Sequence, residues 1–206
     1  MNKNIINFYL AANKLKEVIR TGWIELEISS DRLESVAEHV YGTVVLASAI
    51  NDEYNLNLDM YKTLKMITIK ELEKVSLKEF TTRDYPTKEE RQAQAIETIT
   101  KITDGLIKQE EILDLLQEAT KQETKEAKFA FQVSKLESDL QAKIYDMNGK
   151  LDIENAKEDA KYFPEELANE IISQIKNASD SFILYDRQYY TDDIFKKLSK
   201  EVQDLN

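Results

Sequence analysis

The chain has 206 residues, a formal net charge of −11 at pH 7 and no cysteine. The missing cysteines exclude disulfides and thiolate metal sites. The acidic excess argues against a partner such as a nucleic acid polymer, because phosphate backbones are bound by clustered Lys and Arg. No apolar run approaches the ~20 residues that a membrane helix needs, and the N-terminus shows no signal-peptide cleavage pattern, so a cytoplasmic protein without a membrane partner is predicted.

Only four glycines and two prolines interrupt a chain rich in Leu, Ile, Glu, Lys and Ala, which predicts an all-α fold. Apolar residues recur at three- and four-residue intervals in four segments, and this spacing predicts four core-facing helices. In chain order the segments contain Val36, Val40, Thr43 and Ala47; Met60, Leu64 and Ile67; Ile96, Ile99, Thr103 and Leu106; and Phe129, Val133, Leu136, Leu140 and Ile144.

Short polar residues before these segments are candidate helix caps. Ser30 or Asp31 is predicted to cap the first helix, which carries His39, the single histidine of the chain. Asn57 or Asp59 is predicted to open the second helix. Either residue type offers a side-chain oxygen to the free backbone N–H groups of a first helical turn.

Two further signals divide the chain. Pro86 is predicted to start a long helical segment, because proline is favoured at the first helical position. The dipeptide Asn148-Gly149 is typical of a turn. It predicts a boundary between a helical domain, 1–148, and a C-terminal helical extension packed on it, 149–206.

Two motifs carry a family resemblance. Residues 20–23 read Arg-Thr-Gly-Trp, and residues 35–39 read Ser-Val-Ala-Glu-His. This combination resembles the start of the HD-domain metal-dependent phosphohydrolases, specifically their 5'-deoxynucleotidase-like branch. The resemblance extends over roughly residues 5 to 146, because Lys-Leu-Glu at 135–137 and Leu-Gln-Ala at 140–142 look like the family's continuation. It implies an HD-domain helical bundle and phosphate release from nucleoside monophosphates.

The resemblance also implies a metal site with altered ligands. In this family a His, a later His-Asp pair and a distant Asp bind one divalent metal. The corresponding residues here are His39, Lys70 with Glu71, and Ser134. Glu71 can replace Asp as a ligand, but Lys70 repels a divalent cation and Ser134 removes an anionic donor. No cofactor is therefore expected, and Mn, Co, Ni, Zn or Fe, held by His39 and Glu71, is expected only if the protein is active.

The position of the pair on its helix follows from helical geometry. Because residues three and four apart share a face, Glu71 continues the apolar face of Leu64 and Ile67, and Lys70 lies at the edge of that face. A carboxylate pointing inward needs a partner. Lys70, together with Lys74, is predicted to supply some of the charge that the missing cation would have brought to Glu71.

The resemblance implies further functional residues. Relatives carry two acidic groups shortly after the pair; Lys74 occupies the first position, and Glu79 is predicted to retain the second as a catalytic residue. Arg20 and Trp23 resemble residues that line the family's nucleotide pocket, where Arg suits a phosphate and Trp stacks on a base. The predicted partner is a nucleotide or another small phosphate ligand.

Three functional interpretations follow. The favoured one is an HD-superfamily homologue whose hydrolase activity is impaired or lost. The alternatives are an active phosphohydrolase with a remodelled metal site, and a non-enzymatic helical interaction module. A homodimer is a further predicted partner, whichever interpretation holds. Each site residue also has a purely structural interpretation: a core histidine for His39, a surface pair for Lys70 and Glu71, and packing or capping for Ser134, Arg20 and Trp23.

Overall fold

The computed structural model describes residues 3–76 and 87–205. Across these residues the regular structure is helical, with no β-strand, and the predicted all-α fold is confirmed. The helices are α1 (Lys3–Asn13), α2 (Thr21–Glu25), α3 (Val36–Tyr54), α4 (Met60–Glu71), α5 (Lys88–Ile102), α6 (Gln109–Lys121), α7 (Lys125–Met147), α8 (Ile153–Ala160), α9 (Glu165–Gln174), α10 (Asp180–Asp186) and α11 (Asp193–Gln203). Short 3-10 turns span Lys14–Lys16, Leu72–Val75 and Arg187–Tyr189. None of the described helices is long and apolar enough to cross a membrane.

The chain forms two compact units. The first unit comprises Met1–Arg20 and Glu34–Phe131, and the second comprises Thr21–Leu33 and Gln132–Asn206. This division does not coincide with the predicted boundary between residues 148 and 149. The second unit combines the predicted extension with residues from two earlier segments of the chain.

In the first unit, α4 packs against α3 and α6, and the turn Leu72–Val75 packs against α5. Seven buried side chains form its core: Leu15, Val36, Ile69, Leu72, Ala95, Ile99 and Leu116. The buried face of α3 differs from the predicted one in one respect. His39 is buried with Val36, Thr43 and Ala47, whereas Val40 is only half-buried. The imidazole ring of His39 therefore lies on a face of α3 that is otherwise mainly apolar.

Ser35, not Ser30 or Asp31, caps α3, so that prediction was wrong. The physical reason is a local antiparallel bridge between Ile19 and Ser35, which keeps the backbone extended up to the cap. The second cap prediction is confirmed, because the Asp59 side chain accepts a hydrogen bond from the backbone N–H of Lys62 at the start of α4. Pro86 lies outside the described residues.

The second unit has two apolar clusters. One is formed by Trp23, Leu26, Ile28, Ala142 and Tyr145, and the other by Ala160, Ile171 and Leu184. The end of α7 departs from the predicted apolar face, because Ile144 is 48% exposed. Residues 21–33 and the C-terminal half of α7 thus share one core.

Among the buried carboxyl groups of the second unit are those of Asp139 and Asp186. Asp139 is fully buried; the Tyr190 hydroxyl donates to its Oδ2 at 2.7 Å, and its buried Oδ1 accepts no hydrogen bond from the described residues. Asp186 is also buried, and the Lys135 ammonium donates to its Oδ1 at 3.0 Å. Burial and the nearby charge of Asp186 raise the pKa of Asp139 well above its usual value, although Tyr190, Lys135 and Arg187 oppose this shift.

Replacing Asp139 with Asn is expected to stabilise the protein relative to the parent increasingly as pH rises. A raised folded-state pKa adds stability that is complete below the unfolded pKa, near 3.8, and is lost as pH rises through the folded pKa. The Asp139→Asn variant lacks this titration, so the difference in melting temperature between variant and parent should grow from pH 4 to pH 8. Each pKa unit corresponds to about 1.4 kcal/mol.

Thermal unfolding at a series of pH values checks this expectation. The matched control is Asp104→Asn, because Asp104 is exposed. Parallel pH profiles for the parent and Asp139→Asn would contradict the assignment of a buried proton to Asp139.

Candidate functional site

The start of α3 fixes the position of His39. The Ser35 hydroxyl accepts a hydrogen bond from the Glu38 backbone N–H, and the Glu38 carboxylate accepts one from the Ser35 backbone N–H, which completes a capping box. The Val36 backbone N–H also donates to the carbonyl of Val18 at 2.8 Å. These bonds hold the first turn of α3, and His39 on that turn is only 2% exposed.

The same backbone pairing brings Arg20 to Glu34. The Arg20 backbone N–H donates to the Glu34 carbonyl at 3.2 Å, and Arg20 Nη1 donates to Glu34 Oε2 at 2.9 Å. Both side chains are largely buried, with 15% and 6% exposed. A carboxylate oxygen of Glu34 and a ring nitrogen of His39 lie within 4.8 Å of each other. Arg20, Glu34 and His39 therefore form one polar group in the first unit.

Glu71 lies at the end of α4 and is buried. Lys74, in the turn that follows, places its Nζ 2.9 Å from Glu71 Oε2. Glu71 Oε2 accepts no hydrogen bond of good geometry from the described residues. Its contact with Lys74 is therefore an ion pair without good hydrogen-bond alignment. Burial favours the neutral acid, but the charges of Lys74, His39 and Lys70 outweigh it and lower the pKa of Glu71 to about 2.

Lys70 and Glu73 lie around this ion pair. The half-buried Lys70 acts on Glu71 by its charge, while Lys74 makes the close contact. Burial raises the pKa of Glu73, against the opposing charge of Lys70. Lys74, rather than Lys70, is thus the principal counter-charge of Glu71.

Of the predicted site residues, His39, Lys70 and Glu71 lie in the first unit, and the charges of His39 and Lys70 both act to lower the pKa of Glu71. Trp23 and Ser134 belong to the second unit. Ser134 is half-buried on α7. Glu79 lies outside the described residues, and its catalytic role stays a prediction.

Trp23 is almost fully buried, at 1% exposed. Its ring meets Tyr145 edge-on at a centroid distance of 5.5 Å and packs against Phe182 at 5.3 Å. These contacts account for Trp23 as a core residue, and its role in substrate binding stays a prediction.

Glu34 was not predicted as a site residue. It directly precedes the Ser-Val-Ala-Glu-His motif, and only the pairing of residues 18–20 with 34–36 brings Arg20 to it. The available sequence signal was a lone acidic residue one position before a helix cap. That signal is weak, because acidic residues near helix N-termini are common for dipolar reasons alone.

Three side chains described in the first unit carry atoms that could bind a divalent cation. His39 offers a ring nitrogen and Glu34 a carboxylate oxygen, and Glu71, whose pKa is lowered in part by the charge of His39, offers a second carboxylate. However, Glu34 is already paired with Arg20 and Glu71 with Lys74. A divalent cation would have to displace these partners and would also face the charge of Lys70, so this donor set fits a metal poorly.

The family model and the named relatives that match this chain agree with each other. A model of the HD domain family matches residues 12–176. Relatives include the 5'-deoxynucleotidase HDDC2 of Homo sapiens, 30% identical over 70% of this chain and 69% of that protein, and that of Dictyostelium discoideum, 31% identical over 69% and 78%. The 5'-deoxynucleotidase YGK1 of Saccharomyces cerevisiae is 26% identical over 87% of this chain and 81% of that protein.

Two solved structures are also similar. A conserved hypothetical protein from Pyrococcus furiosus aligns with a TM-score of 0.59 and 25% identity, covering 82% of this chain and 97% of that one. The PH0347 protein of Pyrococcus horikoshii aligns with a TM-score of 0.60 and 19% identity, covering 95% and 98%. The latter likeness concerns the fold alone.

Proposed function

This chain belongs to the HD-domain family, in its 5'-deoxynucleotidase-like branch, and we propose that it binds a nucleoside monophosphate or a similar small phosphate but has impaired metal-dependent phosphate release. An HD phosphohydrolase-like function is supported by the names of its relatives. The impairment is argued from the residues of this chain.

One observation carries the proposal: two carboxylates of the first unit are each neutralised by a cation of the chain itself. Arg20 pairs with Glu34, and Lys74 pairs with Glu71, both at 2.9 Å. In a metal-dependent phosphohydrolase the bound cation polarises a phosphoryl oxygen and prepares a water nucleophile. A cation needs free anionic donors to stay bound, and here Lys70 adds a further positive charge near Glu71.

Ligand binding draws on the positive groups of the same region. Arg20 pairs with Glu34 through Nη1, and the planar fork of N–H donors on a guanidinium matches a phosphate well. We propose that Arg20 contacts the phosphate. Trp23 is buried, so stacking of the base on its ring would require the ring to become accessible.

Elemental analysis and an activity assay test the proposal. The purified protein is expected to carry less than about 0.1 equivalent of Mn, Co, Ni, Zn or Fe, because the ligand positions hold Lys70 and Ser134. Phosphate release from dAMP, dGMP, dCMP and TMP with added Mn²⁺ or Co²⁺ should stay at the no-enzyme background. The same nucleotides should raise the melting temperature, because they bind the folded state.

Stoichiometric metal with phosphate release would overturn the impairment, and no thermal shift with any of the four nucleotides would overturn the ligand. Arg20→Met serves as the matched variant, which should lose the nucleotide-induced shift. An unchanged shift in Arg20→Met would remove Arg20 from the binding site.

A second candidate function is an active phosphohydrolase with a remodelled metal site. It is favoured by the proximity of Glu34 and His39, whose ligand atoms lie within 4.8 Å. In this case Glu34 would exchange Arg20 for the metal. The elemental analysis above separates the two candidates, because only this one requires bound metal.

We also propose, from the sequence alone, that the protein forms a homodimer and lies in the cytoplasm. A nucleic acid polymer is an unsuitable partner for a chain of net charge −11, because its phosphates would be repelled.

A further inference from the structure

The turn Leu72–Val75 follows α4 directly, and it places Lys74 beside Glu71, the last residue of that helix. The two side chains are three residues apart, and they differ in exposure: 11% for Glu71 and 27% for Lys74. The carboxylate is thus the buried member of the pair, while the ammonium reaches it from a partly exposed position.

We propose that Lys74 is a built-in counter-ion, a tethered ammonium that takes the electrostatic place of the divalent cation at Glu71 and makes the folding of this region independent of metal. The inference rests on the proposed function only in assuming that Glu71 occupies a former ligand position. The ion pair itself is a feature of the structure.

The physical need for a counter-ion comes from burial. An unpaired charge in a low-dielectric interior is strongly destabilising, and breaking a buried pair by removing one partner leaves that charge uncompensated. Glu71 is buried beside the apolar core residues Ile69 and Leu72. A cation must therefore be supplied from somewhere for Glu71 to stay ionised.

A tethered cation differs from a bound metal in its thermodynamics. A bound ion stabilises the folded state according to its free concentration, so chelators remove its contribution. Lys74 is covalently part of the chain, and its contribution does not depend on any ligand. The melting temperature of the parent protein should therefore be unchanged by EDTA and by added Mn²⁺ or Co²⁺.

Lys70 has a different role from Lys74. It acts on Glu71 through its charge, and it also acts on Glu73, whose pKa is raised by burial. The close partner of Glu71 is Lys74 at 2.9 Å. Removing Lys74 should therefore affect stability more than removing Lys70.

A double-mutant cycle on the full chain tests the inference, using Lys74→Met, Glu71→Gln and the double variant. Lys74→Met should lower the melting temperature by about 5 °C or more, because Glu71 keeps a buried charge. Glu71→Gln should cost less, since the partly exposed Lys74 can turn to solvent. The double variant should recover most of the loss of Lys74→Met, because no buried charge remains.

The matched control is Lys101→Met. Lys101 pairs with Glu97 on α5, but their side chains are 71% and 64% exposed, so its loss should change the melting temperature by less than about 2 °C. Lys74→Arg keeps the positive charge and should melt close to the parent. If Lys74→Met fails to fold, a folded double variant supports the inference and an unfolded one overturns it.

Three other results would overturn the inference. A melting temperature of Lys74→Met equal to that of the control would make the pair an ordinary surface contact. The double variant failing to recover would assign Lys74 to packing. A parent protein destabilised by EDTA would show that a metal already balances Glu71. Phosphate release alone would refute the proposed function and leave the cycle unaffected, so the two failures are distinguishable.

Discussion

Replacing Lys70 with His and Ser134 with Asp is expected to raise the metal content of the purified protein from below about 0.1 to about one equivalent per chain. The resemblance implies that these changes restore an imidazole and a carboxylate, with His39 and Glu71 as the other ligands. Elemental analysis after growth with Mn²⁺ or Co²⁺ measures the gain. The single variants should each bind weakly, because each lacks one donor.

Activity should recover less than metal binding in this double variant. The resemblance implies that Lys74 still stands where the family has an acidic group, and general acid–base groups contribute roughly 10²–10⁴-fold in rate. Adding Lys74→Glu should raise phosphate release from deoxynucleoside monophosphates further. It should also make the melting temperature sensitive to EDTA, because the metal then replaces the tethered ammonium at Glu71. A folded double variant without bound metal would contradict the ligand assignment.

Truncating Trp23 is expected to produce one of the largest losses of stability in this chain. Trp23→Ala removes a fully buried ring from contacts with Tyr145 and Phe182, which should cost about 3–5 kcal/mol and lower the melting temperature by about 10 °C. Trp23→Phe should cost less, because part of the ring volume is kept. Thermal and urea unfolding measure both.

A control variant and a ligand-binding measurement distinguish a packing role of Trp23 from a role in ligand binding. Tyr41→Ala removes an aromatic ring that is 74% exposed and should change stability by less than about 0.5 kcal/mol. If Trp23 serves packing alone, Trp23→Phe should keep the thermal shift given by dCMP. A loss below about 1 kcal/mol in Trp23→Ala would contradict the core assignment.

The helices were predictable because their signals are local. Apolar spacing located α3, α4, α5 and α7, and the side chain of Asp59 was recognisable as a cap of α4. The cap of α3 was misplaced because residues before Ser35 pair with Ile19, and that pairing involves a segment 16 residues earlier in the sequence. A long-range pairing of this kind leaves no periodic signal.

The candidate site, like the helices, was predictable only as far as its local sequence signals reach. The motifs around Arg20, His39 and Glu71 were sufficient to indicate the family, which the comparisons then showed. They did not identify Glu34 as the partner of Arg20, nor the rank of Lys74 above Lys70 as the partner of Glu71. Those partners depend on distances of a few ångströms between side chains, which sequence spacing does not resolve.

The sequence by itself determined the all-helical class and the family, because composition, helical periodicity and motifs are properties of the chain alone. Only the tertiary structure decided that Trp23 is a core residue and that Glu71 is balanced by Lys74. Burial and ion pairing arise from contacts between segments, since a side chain's environment is set by what packs around it.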